Sequence, residues 1–313
     1  MLRVVGKRLV VAIPLIVAVA SISFLFLQIT PGSPASVILG TRATPEGIRE
    51  LDHKLGLDQP LPTQYGDYLS ELVHGTLGHS LLNGQSVTGL LASRLQVTLS
   101  LAILATLVSA VVGMWLGTFV ATRRGWYDRV LTPVSGLGLA MPSFWLGTLL
   151  VLLLAIHTHA LPATGYVPIE RSVVQWAYHL VLPVVALSAA LVAAIARQTR
   201  VAMIEELGRD YVRALRAAGV PRRSIVWRHA LRNASIPVVT TLGLQFVGVL
   251  GGAVIIEQVF SLPGVGSLVL QAANSHDVPV VQGVVVASAV VVLVVNLVLD
   301  LVLMALSPKV RRA

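Results

Sequence analysis

VPVVQGVVVASAVVVLVVNLVL (residues 278–299) contains no Asp, Glu, Lys or Arg. The hydrocarbon core of a bilayer is about 30 Å thick, and about 20 residues of α-helix are enough to cross it. The segment is predicted to be helical because lipid offers no water to hydrogen-bond a bare backbone. Five further runs without these charged residues are long enough to cross, namely 9–41, 95–122, 130–169, 172–196 and 233–256. We therefore predict an all-α integral membrane protein with six transmembrane helices.

The composition of the 313-residue chain excludes several other classes of protein. Only 12% of the residues are charged, which is about half the usual share of about 25% for soluble domains. The chain has no cysteine, so disulfide frameworks, thiolate zinc sites and cysteine nucleophiles are excluded. The net charge of +9 does not indicate a nucleic-acid partner, because the distribution of the basic residues is explained by orientation in a membrane.

Basic residues predict the orientation in the membrane. With six spans both termini lie on one face, and that face receives eighteen of the twenty-three Lys and Arg residues. Cytoplasmic loops carry the excess of Lys and Arg, so we predict that both termini are cytoplasmic. The first run, after Arg3, Lys7 and Arg8, could be taken for a secretory signal. It is too long for one, and we predict that it is retained as a helix.

The spans divide the chain into four parts. We predict a cytoplasmic N-terminus with the first transmembrane helix at 1–30, an external segment at 31–93, a transmembrane core at 94–306 with a cytoplasmic loop at 201–232, and a cytoplasmic tail at 307–313.

Two short helices are predicted in the external segment. One begins with Thr44 as N-cap and Pro45 at its first position, and Gly56 ends it. The other covers QYGDYLSELVHG (64–75).

The densest positive charge lies in RDYVRALRAAGVPRRSIVWRHALRN (209–233), which has seven arginines. Arg209, Arg213 and Arg216 fall on one helical face. Gly219 is predicted to end this helix and Pro221 to be the first residue of the next. The second helix is predicted to continue into the fifth span.

Two interpretations of this loop stay open. Its arginines can hold the loop in the cytoplasm and bind anionic lipid headgroups. Alternatively, its small residues let a partner protein approach closely while the arginines orient it. The small residues are Ala214, Ala217, Ala218 and Gly219.

The chain resembles the B-type permease subunit of ABC importers for dipeptides, oligopeptides and nickel. RALRAAG (213–219) lies where that family has a degenerate Glu-Ala-Ala-x-x-x-Gly element, with Arg213 in place of the glutamate and Leu215 in place of the second alanine. In PGSPA (31–35) a serine stands where aspartate is expected. Further segments similar to the family occur in the family's order: LGLDQPLPTQY (55–65), RRGWYDR (123–129), MPSFWLG (141–147), RHALRNASIPVVT (228–240), GGAVIIEQVFSLPGVG (251–266) and PVVQG (279–283).

The resemblance implies a fold, a function and partners. The fold would be that of a type I ABC importer permease in a bacterial plasma membrane. The chain would be the pore-forming subunit of an ATP-driven importer of di- and oligopeptides, with nickel or glutathione as alternative cargo. Its partners would be a second, homologous permease forming a heterodimer, two ABC ATPase subunits and an extracytoplasmic substrate-binding protein. ATP and Mg²⁺ would belong to the ATPases, since this chain has no phosphate-binding Gly-x-x-x-x-Gly-Lys-Ser/Thr loop and needs no cofactor of its own.

The resemblance also indicates two sets of site residues, and no catalytic or metal-binding residue. The first set would contact the ATPase: Tyr211, Arg213, Ala214, Arg216, Ala217, Ala218 and Gly219. The second would line the translocation path or its gate: Gly243, Gln245, Gly248, Gly252 and Glu257.

Structural roles compete with the second set. Glycines also permit close helix packing in lipid, as at Gly113 and Gly117. Gln245 could bond a neighbouring helix, and Glu257 could anchor a loop. Asp300 is expected to pair with Asn296 or an arginine.

Two other classes of function remain as rivals. A carrier driven by protons or sodium would bury ionisable groups in mid-membrane, where this chain has few. A membrane-embedded enzyme would need a catalytic constellation within a span, and none stands out.

Overall fold

The computed structural model describes residues 2–29, 33–123 and 125–306. The predicted tail 307–313 lies outside these residues, as do residues 1, 30–32 and 124. The described part is helical, with one short 3₁₀ stretch, two π-helical stretches (Val151–His157 and Ile225–Ala230) and no β-strand, in agreement with the all-α prediction. The helices are α1 (Leu2–Ile29), α2 (Pro34–Leu39), α3 (Pro45–Lys54), α4 (Leu61–Val73), α5 (Val87–Thr122), α6 (Trp126–Ala140), α7 (Ser143–Leu150), α8 (Val173–Gly208), α9 (Asp210–Ala217), α10 (Arg222–Ser224), α11 (Leu231–Val259), α12 (Val265–Asn274) and α13 (Val278–Leu306).

Four described helical segments are long and apolar enough to cross a membrane. They are α5, α8, the continuous stretch Arg222–Val259 and α13. The apolar part of α1, Val10–Phe26, is shorter. The membrane-protein prediction is therefore confirmed, and the count of six spans stays a prediction.

The third charge-free run does not form one straight helix. Pro133–Ala140 and Ser143–His157 meet at an angle of 94°. Met141 between them has an extended backbone (ψ 120°), and Pro142 follows it. The proline ring disfavours the helical conformation in the residue before it. The break lies at this Met-Pro pair, and it gives one bent span or a re-entrant segment.

Contacts within the chain divide it into two compact units. Of the described residues, the first contains 97–262 and 295–306, and the second contains 2–96 and 263–294 without the gap at 30–32.

The first unit is built around α8, which packs against α6, α7 and α11. Helix α5 also crosses α8 closely. A Cβ added to Gly113 would lie 2.7 Å from Ile195 Cγ2, and one added to Gly117 would lie 2.5 Å from the Ala196 carbonyl oxygen. Only glycine permits this approach, which is the packing that small residues provide in membranes.

The second unit has its own apolar core, formed by residues of α5, α12 and α13. The segment before α5 is tied to the turn before α13 by Asp277, which is buried. Its carboxylate accepts hydrogen bonds from Ser80 Oγ at 2.5 Å and from the Leu81 N–H at 3.1 Å. Helix α1 contacts α4 through Phe24, whose ring stacks on Tyr68 at 6.0 Å between ring centroids.

Both short helices predicted between α1 and α5 are present. Thr44 caps α3, since its Oγ1 accepts the Gly47 N–H at 3.1 Å. Gly56 follows this helix with a φ of +69°, which glycine adopts readily. Helix α4 begins at Leu61, before the predicted stretch.

Candidate functional site

The two helices predicted on either side of Gly219 are α9 and α10, and we call this pair with its turn the elbow. Gly219, after α9, has a φ of +76°, a conformation that favours glycine at a helix C-terminus. Its N–H donates to the Arg216 carbonyl at 3.1 Å, and the Val220 N–H donates to the Leu215 carbonyl at 3.0 Å. The chain thus turns sharply between the helices.

The second helix of the elbow, which we call the second arm, begins one residue later than predicted. Pro221 has a ψ of 138° and precedes the helix instead of being its first residue. From Arg222 the helix runs without a break to Val259, through a π-helical stretch at Ile225–Ala230. The prediction that this arm continues into the fifth span is confirmed.

Six of the seven predicted coupling residues are exposed. They are Arg213, Ala214, Arg216, Ala217, Ala218 and Gly219. We call these six residues the α9 surface. The opposite side of α9 faces the protein, with Val212 fully buried and Leu215 half-buried.

Tyr211, the seventh residue, is directed into the protein. Its hydroxyl donates to Glu206 Oε2 at 2.9 Å, and Asn233 Nδ2 donates to the Tyr211 oxygen at 3.3 Å. Glu206 is 6% exposed and also forms an ion pair with Arg209 at 3.0 Å. These four side chains join the end of α8, the start of α9 and the first turn of α11.

Burial of Tyr211 and the glutamates beside Arg209 shift the pKa values of these two groups. Loss of solvent raises the pKa of Tyr211, and its hydrogen bond to Glu206 acts in the same direction. The pKa of Arg209 is raised first by its hydrogen bond to Glu205 and then by the charge of Glu206. Tyr211 therefore stays a neutral donor and Arg209 a cation at physiological pH.

Apolar packing holds the base of the elbow. Ala121 of α5, Ala202 and Met203 of α8, and Val226 and Ala230 of the second arm share one buried cluster. Arg222 also donates to the carbonyl of Thr122, the last residue of α5, at 2.8 Å. The elbow is thus attached to three long helices, and the α9 surface is an exposed face that carries arginines and small side chains.

The five predicted path residues do not share one face of α11. Gln245 and Gly248 are exposed, and no atom lies within 4 Å of a Cβ placed at Gly248. Gly243 instead faces Leu299 of α13, and a Cβ added at Gly252 would lie 3.0 Å from Leu187 Cδ1 of α8. These two glycines are packing positions.

Glu257, the fifth of these residues, is fully buried. Its Oε1 accepts a hydrogen bond from Thr98 Oγ1 at 2.5 Å. Its backbone carbonyl accepts the Leu262 N–H at 2.8 Å, which closes the turn after α11. The side chain therefore joins α5 to the C-terminal end of α11.

Glu206 and Asn233 are the residues that sequence reasoning missed. The spacing of Glu206 and Arg209 is that of an i,i+3 ion pair on a helix, which was the available signal. Nothing in the sequence distinguishes Glu206 from its neighbour Glu205, which is exposed in the structure.

Two family patterns match nearly all of the chain. Residues 109–312 match the binding-protein-dependent transport system inner membrane component, and residues 1–102 match its N-terminal part.

Full-length relatives carry related names. A probable peptide ABC transporter permease of Sinorhizobium fredii is 38% identical, over 97% of this chain and 98% of the relative. A putative peptide transport system permease of Brucella abortus is 39% identical, over 99% of both chains. The glutathione transport system permease GsiC of Escherichia coli K12 is 37% identical, over 99% of both chains.

A solved structure has the same fold. It is an inward-facing form of the MetNI methionine ABC transporter, with a TM-score of 0.57 and 18% identity. The match covers 70% of this chain and 97% of that one.

The matched family and relatives are transport permease subunits and not enzymes, and they identify a multi-pass inner-membrane subunit that works with an ATPase and a binding protein. The chain belongs to the family of binding-protein-dependent transport system inner membrane components.

Proposed function

We propose that the chain is the pore-forming permease subunit of an ATP-driven importer of di- and oligopeptides. The observation that carries this proposal is the 38–39% identity, over essentially the full length, to proteins named as peptide permeases. An external substrate-binding protein delivers the peptide, and ATP is hydrolysed by separate subunits that hold it with Mg²⁺.

A second, homologous permease completes the pore as a heterodimer. Helix α11 has a face that its own chain leaves uncovered, including Leu244, Gln245, Gly248 and Gly251. Such a face fits either a partner helix or the translocation path. We assign Gln245 and Gly248 to the path. Gly243 and Gly252 permit close packing beside it, and Glu257 holds its outer end.

The α9 surface receives one of the two ATPase subunits in the cytoplasm. The support for this orientation is the excess of Lys and Arg on the face that carries both termini and the elbow. Small side chains allow close approach, and arginines provide long-range attraction and orientation.

A movement of the ATPase reaches the membrane helices because α9 is bonded to α8 and α11. Glu206 connects α9 with α8 and α11 through Arg209, Tyr211 and Asn233. A displacement of α9 therefore displaces the ends of two membrane helices. The ATPase biases the permease between inward-open and outward-open states by binding the two states with different affinity.

Glutathione is the second candidate cargo. The support is the 37% identity to GsiC over 99% of both chains. Glutathione is itself a peptide, so a path with exposed glycine and an amide suits both cargos. Nickel is the remaining alternative implied by the resemblance.

Uptake by the reconstituted complex tests the proposal. Vesicles containing this chain, its partner permease and the ATPases are supplied with the binding protein, internal ATP and labelled dipeptides, glutathione or Ni²⁺. We expect ATP-dependent accumulation of dipeptide and no ATP hydrolysis by the isolated chain. Uptake driven by a proton or sodium gradient without ATP would contradict the proposal.

A further inference from the structure

The second unit encloses a cavity of about 1150 Å³ that the proposed function does not use. It lies among α1, the α3–α4 segment, and the region from the end of α12 into α13. Pockets for small molecules are commonly about 300–1,000 Å³. The volume is thus sufficient for a large ligand.

One wall of the cavity is apolar and continues onto the exposed apolar surface of α1, the predicted first transmembrane helix. Ile22 and Phe26 line the cavity and are 67% and 71% exposed. Both belong to Val10–Phe26, the apolar stretch of α1. Val281 and Val285 of α13 line the same cavity. A ligand with hydrocarbon chains can therefore contact this wall directly from the bilayer.

The Gln282 side chain lines this cavity and is 5% exposed, and its amide forms no hydrogen bond to another described residue. Buried polar groups are normally hydrogen-bonded, so this amide indicates a polar ligand group or water in the cavity. Tyr68 lines the cavity as well, but its hydroxyl is closed off from solvent and has no hydrogen-bond partner in the described part of the chain.

Tyr68 remains protonated over the physiological range. Burial, with a contribution from Tyr65, raises the pKa of Tyr68 to about 12. Its hydroxyl can therefore both donate and accept a hydrogen bond.

Carboxylates dominate the charge of the cavity. Asp67 and Glu71 lie one turn apart on α4, are exposed, and form no ion pair with a described residue. Asp58 is paired with His53 at 2.7 Å. Lys54 also lines the cavity and lies 2.8 Å from Glu50. The excess of negative charge attracts an ammonium group and repels a headgroup that carries phosphate alone.

We propose that this cavity binds a phospholipid whose headgroup carries a primary ammonium, as in phosphatidylethanolamine. The acyl chains lie against Ile22, Phe26 and Val285. The ammonium donates to Asp67 and Glu71. Gln282 bonds the polar atoms between headgroup and chains.

The α-ammonium of a peptide offers the same charge, but lipid fits the surroundings better. The apolar wall is open along α1 toward hydrocarbon, whereas an imported peptide would arrive through water. We therefore assign the site to lipid, independently of the proposed function.

Lipid retention by the full chain in detergent tests this assignment. Phosphatidylethanolamine and phosphatidylcholine with the same acyl chains are added in equal amounts, and the lipids that stay bound are counted by native mass spectrometry. We expect phosphatidylethanolamine to be retained at least about fivefold over phosphatidylcholine, because only the primary ammonium donates charge-assisted hydrogen bonds. Equal retention of the two lipids would overturn the proposal.

Paired variants separate the site from general lipid binding. The double variant Asp67→Asn/Glu71→Gln changes two exposed side chains. It should retain phosphatidylethanolamine and phosphatidylcholine in a ratio of about one, because neutral acceptors bind an ammonium more weakly. Glu46→Gln, an exposed glutamate of α3 that does not line the cavity, should keep the full preference. An unchanged preference in the double variant would contradict the site.

Competition by a dipeptide distinguishes the two possible sources of the ammonium group, lipid and peptide. An excess of dialanine should leave the retained phosphatidylethanolamine unchanged. Displacement of the lipid by dialanine, with loss of this effect in the double variant, would assign the cavity to peptide and overturn the lipid proposal.

Discussion

Gly113 and Gly117 on α5 and Ala214, Ala217 and Ala218 on α9 are all small residues, yet their surroundings are opposite. The two glycines are pressed against α8, where even a methyl group would collide with Ile195 or with the backbone of Ala196. The three alanines are exposed. The internal packing of α5 on α8 requires the small size of the two glycines. The three alanines are uncovered, so a partner protein can approach them closely.

Gly117→Leu should have the largest effect of the changes that test this contrast. The nearest atom is a backbone oxygen, 2.5 Å from the new Cβ, and a backbone atom cannot move aside without separating the helices. We expect a loss of about 3 kcal/mol or more in the free energy of unfolding, seen as lost monodisperse protein in detergent.

Gly251→Leu is the matched control for that change. No atom lies within 4 Å of a Cβ at this exposed position of α11, so the isolated chain should keep its melting temperature. An equal loss of stability in Gly117→Leu and Gly251→Leu would contradict the distinction between packed and exposed small residues.

Glu206→Gln should loosen the α9 surface without unfolding the chain. The amide removes the charge that pairs with Arg209 and weakens the hydrogen bond from Tyr211. A buried charged hydrogen bond is worth about 1.5–3 kcal/mol. Amide hydrogen exchange in 209–220 should therefore become at least about tenfold faster.

Glu205→Gln provides the comparison for this effect. This neighbouring glutamate is exposed, and it pairs with Arg209 at the surface at 3.1 Å. Exposed ion pairs contribute little to stability, so exchange should change by less than about threefold. Similar acceleration in the two variants would remove Glu206 from its anchoring role.

Substitutions at Gly219 should have a smaller effect that depends on backbone geometry. Its φ of +76° disfavours residues with a Cβ, although open space surrounds the position. We expect Gly219→Ala to lower stability by about 1 kcal/mol, whereas Gly219→Asn should lower it less because asparagine tolerates this conformation. Thermal melting of both variants measures the difference, and an equal loss would show that steric contact, not backbone strain, limits this position.

Local signals predicted much of the fold. Charge-free runs located the long helices, and Thr44 and Gly219 marked a helix start and a helix end that the structure confirms. The Pro142 break was not predicted, because a charge count does not register backbone conformation.

The site was predicted less completely than the fold. Periodicity separates the faces of a helix, but it does not say which face the protein covers. The residues of the α9 surface were named from the sequence, but neither their exposure nor the inward direction of Tyr211 was predicted. The burial of Glu206 and its hydrogen bond from Asn233 depend on how α8 and α11 meet, which one chain segment cannot reveal.

Labelling of a single cysteine at Ala217 tests the central claim most directly. The chain has no cysteine of its own, so Ala217→Cys gives one reactive site on the α9 surface, and Ala43→Cys gives one in the segment predicted to be external. In intact cells, a membrane-impermeant maleimide should modify position 43 and leave position 217 unmodified. In inverted vesicles it should modify position 217, and the assembled ATPase should slow that reaction at least about tenfold by covering the surface. Modification of position 217 from outside intact cells, or an unchanged rate with the ATPase bound, would contradict the account.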